Sequence, residues 1–312
     1  MSKINDFLKT TILILIVLQI TPSIISSLQK QWSNSIESCN KVGYICINGS
    51  IDNASIYRKH LTNYFKDSSI KAILLKIESG GGAAGSCQAL AFDIESLKKE
   101  FPKPIITYTE NICTSGAYEI AAATDHIVAT GSAVIGSIGA RITTIFKVQD
   151  FLNSHKITCE EIAAGSCKNS LSPFTSITDE QKAMLQSLAD NTYQQFSKEI
   201  ASKRHLQLNK IDQWGCGKLF TGQQAYDLKL VDALGSKTTA INLIKKHIIP
   251  SDRKIEWVTP PTKSNFSMLW GNGDEEDDDC DIIETSIYDS FINAICKKIP
   301  SYTLATANTQ YS

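Results

Sequence analysis

AILLKIESGGGAAGSCQALAFDIESLKKEF, residues 72–101, decides the fold. Residues 72–77 form an apolar run interrupted only by Lys76, which suits a strand covered on both faces. Residues 85–101 read as an amphipathic helix. Three consecutive glycines, 80–82, turn the chain between them. Glycine at a strand-to-helix turn lets the backbone approach a ligand and points N–H groups at an anion, although it serves equally well as a plain flexible turn. The order is not G-x-G-x-x-G, and no Gly-Lys-Ser/Thr follows, so neither a dinucleotide fingerprint nor a P-loop is present.

The same alternation extends outward. VGYICI (42–47) reads as a strand before a helical stretch at 53–66, while PIITYT (104–109) and HIVAT (126–130) read as later strands around a helix. Strands alternating with helices at these lengths imply βαβ units and a largely parallel sheet, hence an α/β fold. The clearest helix is 178–204, where Thr178 and Gln181 have capping-box spacing and Met184, Leu185, Leu188, Tyr193, Phe196 and Ile200 recur near the helical period. Those residues suit a core or an interface. TGQQAYDLKLVDALG (221–235) reads as a short helix, a strand-like piece and a glycine stop. Past residue 250 the pattern breaks at Pro260 and Pro261, and GNGDEEDDDCD (271–281) reads as a solvated acidic segment whose contiguous carboxylates do not fit a calcium loop.

With 312 residues, 42% hydrophobic and 20% charged, the chain can bury a full core. A net charge of -1 and the absence of any Lys/Arg block argue against a nucleic-acid partner. Nine cysteines, never spaced CxxC, argue against zinc and against a dense disulfide framework, and suit small free core residues with room for one or two bridges after export. Lys3 and Lys9 precede the apolar run TTILILIVLQI (10–20), which is followed by Pro22 and small residues. Residues 1–29 are therefore expected to be a signal peptide or membrane anchor, residues 30–40 a linker, and the remainder non-cytoplasmic.

Two further segments could carry chemistry. In TENICTSGAYEIAAA (109–123), Ser115 stands at the start of a helix, where it can cap the helix, act as a nucleophile with the Gly116 N–H facing an oxyanion, or do both. AAGSCKNSLSPF (163–174) holds Lys168 in a loop of small and polar residues. A lysine acts as a base only where burial or positive neighbours bring its pKa down from about 10.4. None of His60, His126, His155, His205 and His247 sits in a recognisable motif with Ser115, so nothing supports a Ser-His-Asp triad.

Taken together, IESGGG (77–82), CTSGAYEIAAATDHIVA (113–129), VIGSIGA (134–140) and AGSCKNSLSPF (164–174) resemble, in order and spacing, the signal peptide peptidase A family in its short, single-repeat form, over about Val42 to Lys246. The resemblance implies a ClpP/crotonase-like spiral of βαβ units over residues 41–250; residues 251–312, read as an acidic and partly disordered extension, have no counterpart in the family. It implies peptide hydrolysis by a Ser-Lys dyad with no metal or organic cofactor. Ser115 is then the nucleophile, Lys168 the general base and Ser137 the residue orienting the lysine amine, with oxyanion donors from the backbone N–H of Gly116 and of Gly81 or Gly82. Hydrophobic peptides such as signal-peptide remnants in the membrane are the implied substrates, and homo-oligomers with sites at subunit interfaces the implied assembly. Three positions depart from the family pattern. Gly80 stands where the family's turn has a proline, which is expected to make the turn more mobile, and Thr114 and Ala117 replace an alanine and a glycine. An inactive membrane-attached scaffold, and less readily a crotonase-like acyl-CoA enzyme, are the rival readings.

Overall fold

The computed structural model describes residues 40–142, 146–248 and 255–260. The chain opens with strand β1 (Asn40–Asn48), helix α1 (Ser55–Lys66), strand β2 (Ile70–Glu78) and helix α2 (Ala84–Glu100). Strands β3 (Ile105–Thr109) and β4 (Ile112–Thr114) lead into the short helix α3 (Gly116–Ala122), followed by strands β5 (His126–Ala129) and β6 (Val134–Gly136). Then come α4 (Gln149–Ser154), the long α5 (Asp179–Lys203), α6 (Ile211–Trp214), β7 (Leu219–Thr221), α7 (Gly222–Asp227), β8 (Ala233–Leu234), α8 (Lys237–Ile248) and β9 (Ile255–Val258).

Six strands form one sheet in the order β8-β5-β3-β2-β1-β9, every neighbouring pair parallel. The α/β expectation holds, and the reason is visible in residues 72–77. Ile73, Leu75 and Ile77 face the larger core, built with residues of α1, α2, α3 and α5. Ala72 and Leu74 face the opposite layer, which Ala240 and Ile244 of α8 cover. A strand buried on both faces has no polar side to show, and each fully buried Leu or Ile contributes about 1.5–3 kcal/mol. β9 adds an edge strand beyond residue 250 that the sequence pattern does not reveal.

A second, three-stranded sheet, β4-β6-β7, was not expected. Its β4 and β6 run parallel and its β6 and β7 antiparallel. An isolated bridge between Ser79 and Cys113 joins it to the large sheet just past the end of β2. The glycine turn after β2 and the turn after β4 thus meet at the carboxyl ends of the strands, where open α/β sheets place their sites.

Helix α5 begins with the expected capping box between Thr178 and Gln181. Its C-terminal half enters the core through Phe196 and Ile200, whereas Met184 and Leu188 nearer its start remain exposed. Cys87 and Cys113 are free and buried as expected, but free Cys159 and Cys216 are exposed, and Cys46 is disulfide-bonded. Among the described residues no helix is long and apolar enough to cross a membrane. The expected signal or anchor at 1–29, the linker up to residue 39 and the acidic run at 271–281 lie outside the described residues, as do Cys39, Cys280 and Cys296.

Candidate active site

Glycines 80–82 do not form a loose turn. Ser79 anchors it: its N–H donates to Ile112 O (2.9 Å), its carbonyl accepts from Thr114 N (3.1 Å), and its hydroxyl donates to Gly49 O (2.6 Å). Ile51 brackets the turn through Ile51 N to Gly81 O and Ala83 N to Ile51 O, both 3.0 Å. The Thr114 hydroxyl donates to Gly80 O at 3.2 Å. Backbone and side-chain hydrogen bonds therefore brace the turn at the position where the family pattern has a proline. The packing also requires glycine, because a Cβ on Gly82 would fall 2.4 Å from Ile51 O and one on Gly81 would fall 2.9 Å from both Gly116 N and Ser115 Cβ.

The turn therefore lies directly against Ser115. The Gly81 N–H is already engaged, donating to Ser79 Oγ at 3.1 Å. Gly82 N lies 3.8 Å from the place a Cβ of Gly116 would occupy. Among the described residues neither the Gly82 N–H nor the Gly116 N–H has an acceptor within the chain. Two unpaired backbone donors thus sit next to the serine.

Ser115 itself has φ 55 and ψ -132, far from the β-region geometry of an ordinary N-cap, and its side chain makes no capping hydrogen bond. The expectation that it caps α3 is not met: a left-handed backbone turns the hydroxyl away from the helix's first N–H groups. Holding a non-glycine residue there costs about 1–3 kcal/mol and persists only where the surroundings over-determine it. They do so here, with Ser115 N donating to Gly136 O (2.8 Å) and Ser115 O accepting from Tyr118 N (2.9 Å) and Glu119 N (3.1 Å).

Ser137 repeats the arrangement. Thr114 and Gly136 are register partners in the parallel β4–β6 pair, so Ser115 and Ser137 are the next residues on neighbouring strands. Ser137 also has a positive φ, 52, and its N–H donates to Lys218 O at 2.6 Å. Two strained serines side by side, at strand ends that meet a glycine turn, mark this corner as the site candidate.

Among the described residues no hydrogen bond joins Lys168 to Ser115 or Ser137. Lys168 lies exposed in a turn where its own N–H donates to Gly165 O (3.1 Å). The loop around it is nevertheless ordered by local bonds: Ser172 Oγ and Asn169 Nδ2 donate to the Glu161 carboxylate (2.7 and 3.0 Å), and Gln181 Nε2 at the start of α5 donates to Ser166 O (2.7 Å). The surrounding segment exposes Phe146, Phe151, Ile162 and Leu171. The Ser115 hydroxyl has no histidine partner among the described residues: His126 opens β5 at the strand end away from the site, and His155 bonds Ser154 Oγ and Phe151 O.

Three contributors escape the sequence reading. Glu78 accepts from the N–H groups of Glu110 (2.7 Å), Asn111 (3.0 Å) and Ile112 (3.2 Å), fixing the turn that launches β4. Thr114 ties the glycine turn, as described above. Glu119, one turn along α3 from Ser115, is almost wholly buried, and burial together with the neighbouring Glu199 carboxylate pushes its carboxyl up to about 8. A lone acidic residue inside the apolar run AYEIAAA was the available signal. No group of three or more His, Cys, Asp or Glu among the described residues is arranged to hold a metal ion.

Residues 97–248 match the model of peptidase family S49. A putative protease of Methanocaldococcus jannaschii is 33% identical over 218 residues, 70% of this chain and 69% of that protein. A putative protease of Synechocystis is 30% identical over 212 residues, 67% of this chain and 75% of its own. A putative signal peptide peptidase SppA of Enterococcus faecium is 29% identical over 206 residues, 66% of this chain and 59% of its own. The chain belongs to peptidase family S49, the SppA-like proteases.

Proposed function

We propose that the chain is a membrane-associated serine endopeptidase that hydrolyses hydrophobic peptides, cleaved signal-peptide remnants among them, through an acyl-enzyme on Ser115. The observation that carries this is the strained Ser115 held between Ser137 and two partnerless backbone N–H groups. The signal-peptide substrate class draws support from the name of the Enterococcus faecium relative, a putative signal peptide peptidase. Residues 41–250 are assigned to the peptidase unit, with the ClpP/crotonase-like spiral as the form of its α/β fold. Residues 1–29 are assigned as signal or anchor, 30–40 as linker and 251–312 as an extension whose strand β9 adds to the sheet of the peptidase unit, with that unit on the non-cytoplasmic side.

Lys168, as the free amine oriented by Ser137, takes the Ser115 proton while Oγ attacks the peptide carbonyl carbon. The Gly116 and Gly82 N–H groups receive the oxyanion, since the Gly81 N–H is already bonded to Ser79. The lysine then protonates the leaving amine, and a water, deprotonated by the same lysine, releases the acyl group as a carboxylic acid. Because Lys168 lies exposed and makes no hydrogen bond to the corner within one chain, a second copy supplies it. The apolar side chains around it, Phe146, Phe151, Ile162 and Leu171, are the surface that such a homo-oligomer would cover.

A serine-directed fluorophosphonate tests the assignment. It should label the purified full chain, the label should map to Ser115, and a hydrophobic fluorogenic peptide should be cleaved. A protein that takes no label and cleaves no such peptide is the inactive scaffold instead.

Gly82→Ala should lower kcat by about 10²–10³-fold, the usual loss for one oxyanion donor, because its Cβ would meet the Ile51 backbone and displace the N–H. Gly85→Ala, whose Cβ meets nothing within 4 Å, should leave kcat unchanged in the same peptide assay.

A further inference from the structure

Glu119 does not stand alone under Ser115. Its carboxyl hydrogen-bonds Glu199 of α5. Glu199 is ion-paired with Lys203 one turn on, and Lys203 Nζ also reaches Glu95 of α2 at 2.7 Å. These groups are largely enclosed, Lys203 being 12% and Glu199 13% exposed. Three carboxyl groups thus share one ammonium where α2, α3 and α5 meet. A further ionisable neighbour is the buried thiol of Cys87 on α2, which feels the Glu119 charge. A thiol adds no positive charge opposite Glu119, whose charge is acted on by Glu199 and Lys203.

Two adjacent enclosed carboxylates cannot both ionise when the single nearby cation is already divided between Glu199 and Glu95. While one proton is held, the pair is a hydrogen bond that draws α5 onto α3. Once it leaves, the pair is a repulsion between the same two helices. The movable partner is α3, a helix of seven buried residues. On its far side Tyr118 OH donates to Leu230 O at 2.7 Å. On its near side Glu119 N donates to Ser115 O, so a shift of Glu119 reaches the serine within one turn. Gly116, the first residue of α3, is packed against Cys87 so closely that a Cβ would fall 2.4 Å from Sγ.

We propose that Glu119, with Glu199 and Lys203, is a positioning device for the Ser115–Gly116 corner: the protonated carboxyl pair latches α3 against α5 in the hydrolytic geometry, and loss of its proton releases the latch. The inference rests on Ser115 as nucleophile. It makes the protease self-limiting at alkaline pH, with a falling limb as the pair ionises. The sign for stability follows from linkage. The folded chain keeps a proton that an exposed glutamate gives up in mild acid, so the contribution is complete below the ordinary glutamate range and is lost as pH rises through about 8.

The experiment compares the wild-type full chain with Glu119→Gln, which stays neutral and still donates to Glu199, and with Glu199→Gln, which removes the repulsion from the other side. Peptide hydrolysis is followed from pH 6 to 10, alongside amide exchange of residues 115–123 by mass spectrometry. In the wild type kcat should fall above about pH 8, approaching ten-fold per pH unit with KM little moved, and residues 115–123 should lose protection over the same range. Both variants should lack the falling limb and the change in protection. The inference is overturned if either variant keeps the wild-type falling limb, or if wild-type protection at 115–123 is constant from pH 7 to 9.5. A wild type that hydrolyses nothing would sink the protease reading, while the exchange measurement would still decide the latch.

Discussion

Ser115→Ala is expected to abolish peptide hydrolysis, lowering kcat/KM by about 10⁴-fold or more, while the fold stays intact. The size follows from chemistry: without Oγ there is no acyl-enzyme, and what survives is binding plus the oxyanion donors, which in serine proteases leave about 10³–10⁴-fold over water. The intact fold follows from geometry. The Ser115 side chain makes no capping bond to α3, and its positive φ is fixed by backbone bonds through Gly136 O, Tyr118 N and Glu119 N that alanine retains. Stability should therefore move by less than about 0.5 kcal/mol. Steady-state kinetics and a thermal melt on the same preparation check both halves. A variant that melts normally and still cleaves at more than a few per cent of the wild-type rate would move the nucleophile elsewhere, with Ser137 the next residue to replace.

That combination, large loss of function with small loss of stability, is what separates a strained site from a structural turn. Strain at Ser115 and at Ser137 is carried by a network that does not depend on their hydroxyls: the β4–β6 register, the Lys218 carbonyl and the bracket of Ile51 around the glycine turn. The glycine turn itself owes its order to Ser79 and Thr114. The loss of a proline is thereby offset by hydrogen bonds rather than by a second rigid residue, and the donor at Gly82 keeps its place.

The large sheet was legible in the sequence because burial on both faces writes itself as unbroken apolar runs, as at 72–77 and 104–109, and because α5 announces its start through Thr178 and Gln181. The second sheet was not, for the opposite reason. Its three strands have three residues each, too few for any period to show, and β6 is joined to its neighbours by pairings far away in the chain. Yet that sheet is what sets Ser115 beside Ser137. Ser115 therefore looked like a possible cap from its local sequence alone, and only the long-range pairing of Thr114 with Gly136 shows why it cannot be one. Glu119 was hidden in the same way: residues 80 positions further on, in α5, bury it and supply its partner.

Lys168→Ala should cost about as much as the loss of the nucleophile, since a serine without a base is left as a weak, protonated hydroxyl. The informative measurement is a mixture. Ser115→Ala and Lys168→Ala chains, each inactive, are unfolded together and refolded at equal concentrations with fluorogenic peptide as the readout. If each site takes Ser115 from one subunit and Lys168 from its neighbour, about a quarter of the sites in a mixed closed ring hold both groups, and about a quarter of wild-type activity returns. If both groups came from one chain, no site could be complete and the mixture would stay silent. The exposed position of Lys168, on a loop pinned by Glu161 and Gln181 and flanked by uncovered Phe146, Phe151, Ile162 and Leu171, favours the first result. It also supplies the reason. A lysine serves as a base only where water is stripped from its ammonium, and Lys168 lies exposed on this chain.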